Sequence, residues 1–270
     1  MKKKRAFLKW AGGKYQLVDD VRQHLPAGEC LIEPFVGAGS VFLNTKYKSY
    51  VLADINSDLI NLYNTVKLRT NDFVRDAGAL FHDEYNCAEQ FYTLRQEFNT
   101  SKDVYRRTLL FLYLNRHGYN GLCRYNLKSE FNVPFGRYKK PYFPEAELYW
   151  FAEKAQCATF VCEHYQQTLL KAQRGAVIYC DPPYAPLSVT ANFTSYHSKS
   201  FTTADQKNLA HLAYQLFNQN KIPVLISNHD TELTRAWYYQ ATLHQVKASR
   251  TISSNILGRH KVNELLALYS

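Results

Sequence analysis

Short apolar runs rich in Val, Ile and Leu recur toward both ends of the chain, each stopped by polar or turn-forming residues. "CLIEPF" (Cys30–Phe35), "YVLADIN" (Tyr50–Asn56), "ATFVCEHY" (Ala158–Tyr165), "AVIYCDPPY" (Ala176–Tyr184) and "IPVLISNHD" (Ile222–Asp230) are too short for helices. Their β-branched content suits strands buried on both faces. "TLHQVKAS" and "VNELLALYS" predict two closing strands. Between several of these runs apolar residues return at helical spacing, as in "TADQKNLAHLAYQLFNQN", where Thr203 ahead of Asp205 marks a helix start. Strands alternating with helices predict an α/β fold: an open, mostly parallel sheet with helices on both faces.

The middle of the chain breaks that alternation. From Ser57 to Pro144 the pattern is first helical and then rich in turns. "VYRRTLLFLYLNRHGYNG" reads as a strong amphipathic helix stopped by Gly118 and Gly121, and "LCRYNLKSEFNVPFGRYKKPYF" as a β-hairpin or irregular loop. The expected organisation is an α/β domain built from residues 1–56 and 145–270, interrupted by a mainly helical insert at 57–144.

Composition sharpens the picture. Lys and Arg number 33 against 23 Asp and Glu, a formal charge of +10 that points to a polyanionic partner. Between Gly118 and Lys140, five basic residues and one acid interleave with five Tyr or Phe, the most nucleic-acid-like stretch of the chain. The six cysteines form no C-x-x-C pair and several sit inside apolar runs, which disfavours a metal centre or a disulfide framework and suits a reduced, cytoplasmic compartment. The basic opening carries no apolar stretch of signal-peptide length, and no run of about 18 apolar residues exists to span a membrane.

Four motifs carry candidate chemistry. In "EPFVGAGS" (Glu33–Ser40), Gly37 and Gly39 allow a tight strand-to-helix turn and close approach of a ligand; a plain turn uses the same residues. The third glycine of a dinucleotide fingerprint is missing, which counts against a pyrophosphate ligand. Asp54 ends the next strand, placed for ribose hydroxyls or for a helix cap; Asp58 is the better cap candidate. "FLKWAGGK" sets Trp10 beside two glycines and Lys14: a ring to cover a cofactor and a cation to hold a carboxylate, or a loop with a packed Trp. In "DPPY", Pro182 and Pro183 cannot continue a central strand, so Asp181–Tyr184 forms a stiff tip past a strand end. In an open α/β sheet such strand ends bind ligands.

Taken together, "FLKWAGGK", "EPFVGAGS", "LADINSDLI", "FLYLNRHGYNGLCRYN", "EFNVPFGRYKKPYFPEAEL", "DPPYAPLSVTANFT", "PVLISNHDT" and "KVNELLALY" resemble the Dam-type DNA adenine-N6 methyltransferases, alpha-class enzymes that methylate GATC, over nearly the whole chain. The resemblance implies a Rossmann-like methyltransferase sheet and an inserted DNA-recognition subdomain. It implies S-adenosyl-L-methionine held by Trp10, Lys14, Phe35, Gly37, Gly39, Ser40, Asp54 and Asp181, with no metal. It implies catalysis on a flipped adenine: Asp181 and the Pro182 carbonyl accept the N6 protons, and Tyr184 stacks on the ring. Lys9 is implied at the first guanine, and Leu122, Arg124 and Pro134 at the other base edges. Tyr119 and Asn120 are implied as a wedge, with Arg95, Arg116, Asn126, Asn132, Arg137 and Lys139 on phosphates. A nucleoid-associated role in marking DNA for mismatch repair and replication control goes with the resemblance. "SRTISSNILGRHK" (Ser249–Lys261) reads as a mobile loop near DNA without assigned chemistry.

Two other readings share parts of this pattern. An amino-methyltransferase of another target would use a similar tip, although the acid of D-P-P-Y favours adenine over the S-P-P-Y usual for cytosine N4. A catalytically inactive DNA-binding regulator would be expected to have lost Asp181 or the glycine loop, and both are intact.

Overall fold

The computed structural model describes residues 3–185, 201–248 and 262–270. The Ser249–Lys261 loop, and most of the segment after the D-P-P-Y tip, lie outside the described residues. Seven strands form one mixed sheet: β1 (Cys30–Glu33), β2 (Ser49–Asp54), β3 (Ala158–Cys162), β4 (Ala176–Cys180), β5 (Val224–His229), β6 (Thr242–Ala248) and β7 (Val262–Tyr269). Their order is β3-β2-β1-β4-β5-β7-β6. The first five are parallel, and β7 runs antiparallel between β5 and β6. From β1 the chain winds outward through β2 to β3, then returns to add β4 and β5 on the other side of β1. The crevice at that reversal lies between β1 and β4.

Alternation along each strand feeds two cores. Leu31, Leu52, Val177, Tyr179 and Leu225 join one buried cluster, and Ile32, Ile178, Cys180, Val224 and Ile226 the other. Every residue of β4 and β5 is buried, which accounts for the apolar run of β4 and of the first half of β5; Ser227, Asn228 and His229 end β5 as buried polar groups. On the second face lie α8 (Tyr165–Leu170) and α9 (Thr203–Asn220); α10 (Glu232–Trp237) follows β5. The first face carries α1 (Val18–His24), α2 (Ser40–Asn44), α3 (Ser57–Leu68) and α7 (Glu145–Ala155). Between α3 and α7 the chain makes α4 (Thr70–Ala79), α5 (Ala88–Thr100) and α6 (Val104–His117), whose aromatic and leucine side chains extend the same core outward.

Two local expectations change, at α6 and at the cap of α3. Every residue of α6 from Thr108 to His117 is buried, so this part of the helix is enclosed rather than amphipathic. Helix α9 does begin at Thr203, capped by Thr202, whose hydroxyl accepts from the Asp205 amide while the Asp205 carboxylate accepts in return from Thr202. Helix α3 is capped by Asn56, not Asp58. Asp58 is instead buried against Arg107 at 2.7 Å and accepts from the Tyr125 hydroxyl at 2.8 Å. The segment after α6 doubles back with two isolated antiparallel bridges, Gly118–Phe135 and Tyr125–Phe131, in place of a continuous ladder. Left-handed backbone at Asn120, Ser129 and Arg137, and the missing donor of Pro134, keep it irregular. Among the described residues no helix is long and apolar enough to cross a membrane. All six cysteines are unpaired.

Candidate active site

Three neighbouring strands each end on an acid: β1 on Glu33, β2 on Asp54, and β4 just before Asp181. After β1 the chain turns through Gly37 (φ 46°) and Gly39 (φ 71°), a left-handed geometry that favours glycine. A Cβ on Gly37 would stand 2.9 Å from the Trp10 indole nitrogen, so this glycine also lets Trp10 pack directly on the loop. Asp54 ties loop and strand together: it accepts from the Gly37 amide at 3.2 Å and the Asn56 amide at 3.0 Å. Burial raises its carboxyl, and those amide bonds oppose the shift. Ser40 is buried at the start of α2, and Phe35 stacks on Tyr165 (5.4 Å) and meets Phe201 edge-on. Phe35 thus packs against α8 and the residue before the cap of α9, next to the glycine loop.

The D-P-P-Y tip is clamped from behind. The Gln206 amide donates to the Pro183 carbonyl at 2.7 Å, and the Asn228 side-chain oxygen accepts from the Ala185 amide at 3.1 Å. Both side chains are buried and bonded to each other at 3.0 Å. The Tyr184 hydroxyl donates to Glu264 on β7 at 2.7 Å, and His229 packs edge-on against its ring. Among the described residues no donor meets the Pro182 carbonyl. Asp181 Oδ1 accepts from Ser227 Oγ at 3.0 Å and pairs with Lys14 Nζ at 2.8 Å. The same ammonium stands 4.5 Å from the centre of the Tyr184 ring. Lys14, expected from the sequence to hold a cofactor carboxylate, is paired here with the carboxylate of the tip instead.

Glu33 was not singled out in the sequence, although it too ends a buried run. It is almost fully buried, and its Oε1 has no hydrogen-bond partner among the described residues. Burial, then the neighbouring Asp181, pushes its carboxyl well above the usual range. Gln206, Asn228, Ser227 and Glu264 were also missed; nothing local marks them, because their partners lie far along the chain.

The candidate reading residues line the turn region after α6. Tyr119, Asn120, Arg124, Pro134, Arg137 and Lys139 are exposed, and Lys9, Arg95, Leu122, Asn126 and Asn132 are half-buried. Arg116 is buried and donates to the Tyr142 carbonyl at 3.0 Å. Arg124 reaches across the fold-back, its Nε donating to Asn132 Oδ1 at 2.7 Å. Arg95 donates to the Val133 carbonyl at 3.0 Å, and Asn126 to Glu130 at 2.8 Å. A cavity of about 260 Å³ is lined by Trp10 and Ala11 together with Leu122, Cys123 and Arg124 of this region.

Comparison with known proteins agrees with this geometry. Residues 10–252 match the family model of the D12 class N6 adenine-specific DNA methyltransferases. The chain is 77% identical over 269 residues to the DNA adenine methylase of Serratia marcescens, with both chains covered in full. It is 67% identical to the DNA adenine methylase of Escherichia coli K12 (100% of this chain, 96% of the other) and 59% identical to that of Vibrio cholerae serotype O1 (100% and 98%). With the glycine turn, the strand-end acids and the clamped D-P-P-Y tip all present, this chain belongs to the D12 class of N6 adenine-specific DNA methyltransferases.

Proposed function

We propose that the protein transfers the methyl group of S-adenosyl-L-methionine to N6 of the adenine in double-stranded GATC. The observation that carries this reading is the corner formed by Asp181 and Tyr184, a carboxylate beside an aromatic face with an ammonium group held between them. An adenine amino group seeks the same two partners. Entering the corner, it displaces Lys14 from Asp181.

The residues on the cofactor side fit S-adenosyl-L-methionine. Asp54 supplies an acceptor for ribose hydroxyls, Trp10 a ring against the glycine loop, and Lys14, once released, a cation for the carboxylate. The Oε1 of Glu33 is a buried acceptor that meets no donor among the described residues, on the side where a cofactor ammonium needs one. When bound, the cofactor supplies an electrophilic methyl group. Adenine N6 is a poor nucleophile because its lone pair is delocalised into the ring. Asp181 and the Pro182 carbonyl accept hydrogen bonds from its two N–H groups and draw the nitrogen toward tetrahedral geometry. The Asp181 carboxylate stabilises positive charge as it develops there, in a tip too rigid to reorganise. The N6 ammonium-like product loses its proton afterwards, so no general base is needed.

In a duplex this nitrogen lies inside the stack, so the base leaves the helix at a cost of about a few kcal/mol. Residues 57–144 act as the recognition unit and residues 1–56 and 145–270 as the catalytic one. Tyr119 and Asn120, exposed at the turn, fill the vacated stack. Lys9 reads the first guanine and Leu122, Arg124 and Pro134 the other base edges. Arg95, Arg116, Asn126, Asn132, Arg137 and Lys139 set the register on phosphates. Such a mark on GATC serves strand discrimination in mismatch repair and control of replication.

Kinetics test the corner directly. Asp181→Ala should abolish transfer. Tyr184→Ala should lower kcat by about 10- to 100-fold while cofactor Kd stays within about twofold, because stacking on the base is lost and the cofactor pocket is not. Equal losses in turnover and cofactor affinity would count against the stacking role.

A further inference from the structure

Asn115 is an unexpected residue for its position. It sits in the last turn of α6 and is almost fully buried among leucines and aromatics, where an apolar side chain would satisfy both packing and helix propensity. Its amide is engaged on both sides. Oδ1 accepts from the Lys9 amide at 2.9 Å, and Nδ2 donates to the Lys9 carbonyl at 2.7 Å and to the Gly121 carbonyl at 3.2 Å. One side chain thus grips the peptide units flanking Lys9 as a neighbouring strand would, and joins them to the turn after α6.

The other side of that grip is Gly121. It adopts φ +62°, and a Cβ there would stand 2.2 Å from Lys9 Cβ and 2.5 Å from Lys9 Cδ. The aliphatic stem of Lys9 therefore lies directly on the glycine. Its ammonium is held at 3.8 Å over the Tyr138 ring and 3.4 Å from the Arg116 carbonyl. Backbone clamp, bare turn and aromatic lid fix where the Lys9 charge points.

We propose that Asn115 is a positioning residue for sequence reading: it fixes Lys9 against the Tyr119–Gly121 turn so that its ammonium reaches the first guanine. This rests on the reading of Lys9 as the guanine-contacting residue. A hydrogen bond to a base edge discriminates only if the donor is held to a fraction of an ångström, so loosening the clamp relaxes specificity at the base pair that Lys9 reads and leaves the others intact.

The test is single-turnover methylation of GATC and of duplexes altered at the first or at the last base pair, each with the adenine of the complementary strand already methylated so that one strand alone reports, with Lys9→Ala, Asn115→Ala, Asn115→Asp and the Lys9→Ala/Asn115→Ala pair. Lys9→Ala and Asn115→Ala should each relax discrimination at the first pair by about tenfold and leave the last pair unchanged. In the double variant the second substitution should add nothing, since both act through one contact. Asn115→Asp keeps the acceptor for the Lys9 amide and should fall between wild type and Asn115→Ala. Gly121→Ala, which pushes Lys9 aside from the opposite direction, gives the same first-pair relaxation if Asn115→Ala fails to fold. A silent Lys9→Ala overturns the reading of Lys9 and the proposal with it. A relaxed Lys9→Ala beside an Asn115→Ala that loses rate equally on every site, or whose effect adds to that of Lys9→Ala, overturns the role of Asn115 alone.

Discussion

Glu33, Asp54 and Asp181 end adjacent strands, yet each carboxylate meets different surroundings. Asp181 has a cation and a hydroxyl, Asp54 has backbone amides, and Glu33 keeps one buried oxygen without a donor among the described residues. A glutamic carboxyl titrates near about 4.3 in an unfolded chain. With its folded value raised by burial and by Asp181, the folded protein keeps a proton that the unfolded chain has released, so stability falls as pH rises above about 4.3. Glu33→Gln removes that slope. Its melting temperature should exceed that of the wild type by a margin that widens from about pH 5 to about pH 8; parallel melting curves would contradict the assignment. In the proposed reading Lys9 bears on binding. Burial, and then Arg116, lowers its ammonium to about 8. Affinity for GATC should therefore drop more between about pH 7 and about pH 9 in the wild type than in Lys9→Ala, measured by fluorescence anisotropy. Asp54 and Asp181 were legible because each interrupts an apolar run with a charge. Glu33 does so too, but the glycine turn beside it drew the functional reading, and its missing partner is visible only in three dimensions.

At the level of elements, strand and helix identities followed from periodicity, whereas caps and enclosures did not. Asn56 and Asp58 are equally good cap residues by type. The choice between them was made by Arg107, which lies 49 positions away and neutralises Asp58 in the core. That ion pair, with Tyr125, fastens α3 and α6 to the fold-back that follows. Arg107→Ala would leave Asp58 buried without its cation and should cost about 3 kcal/mol. Urea unfolding should show a lower midpoint at an unchanged slope, and an unchanged midpoint would mean that the pair carries no net stability. The helical pattern of α6 was legible, but its burial on all sides was not, because the helices that enclose it contribute from both directions along the chain. The fold-back was expected as a hairpin or an irregular loop; it makes two isolated bridges, since the left-handed residues and Pro134 interrupt any ladder.

For the whole molecule, alternation of strands and helices was enough to anticipate a mostly parallel α/β sheet, and the switch in strand order puts the glycine turn, Asp54 and the D-P-P-Y tip at one crevice. The linear pattern carried β7 as a closing strand but not its place, antiparallel between β5 and β6, which brings Glu264 to Tyr184. Nor did it carry the path of the leader, which passes Lys9 to the turn after α6, Trp10 to the glycine loop and Lys14 to Asp181. One short segment thus touches the turn after α6, the glycine loop and the carboxylate of the D-P-P-Y tip. The formal charge of +10 favours a polyanion but says nothing of sequence; in the proposed reading specificity comes from the few side chains that this segment and the turn present. The most direct measurement is to incubate the protein with S-adenosyl-L-methionine and an unmethylated plasmid, digest part of the product to nucleosides for mass spectrometry, and map the remainder with restriction enzymes that distinguish methylated from unmethylated GATC. The account predicts N6-methyladenine as the sole modified nucleoside and full protection of GATC sites, with neither produced by Asp181→Ala. Methylated cytosine, or N6-methyladenine in DNA whose GATC sites remain unprotected, would contradict it.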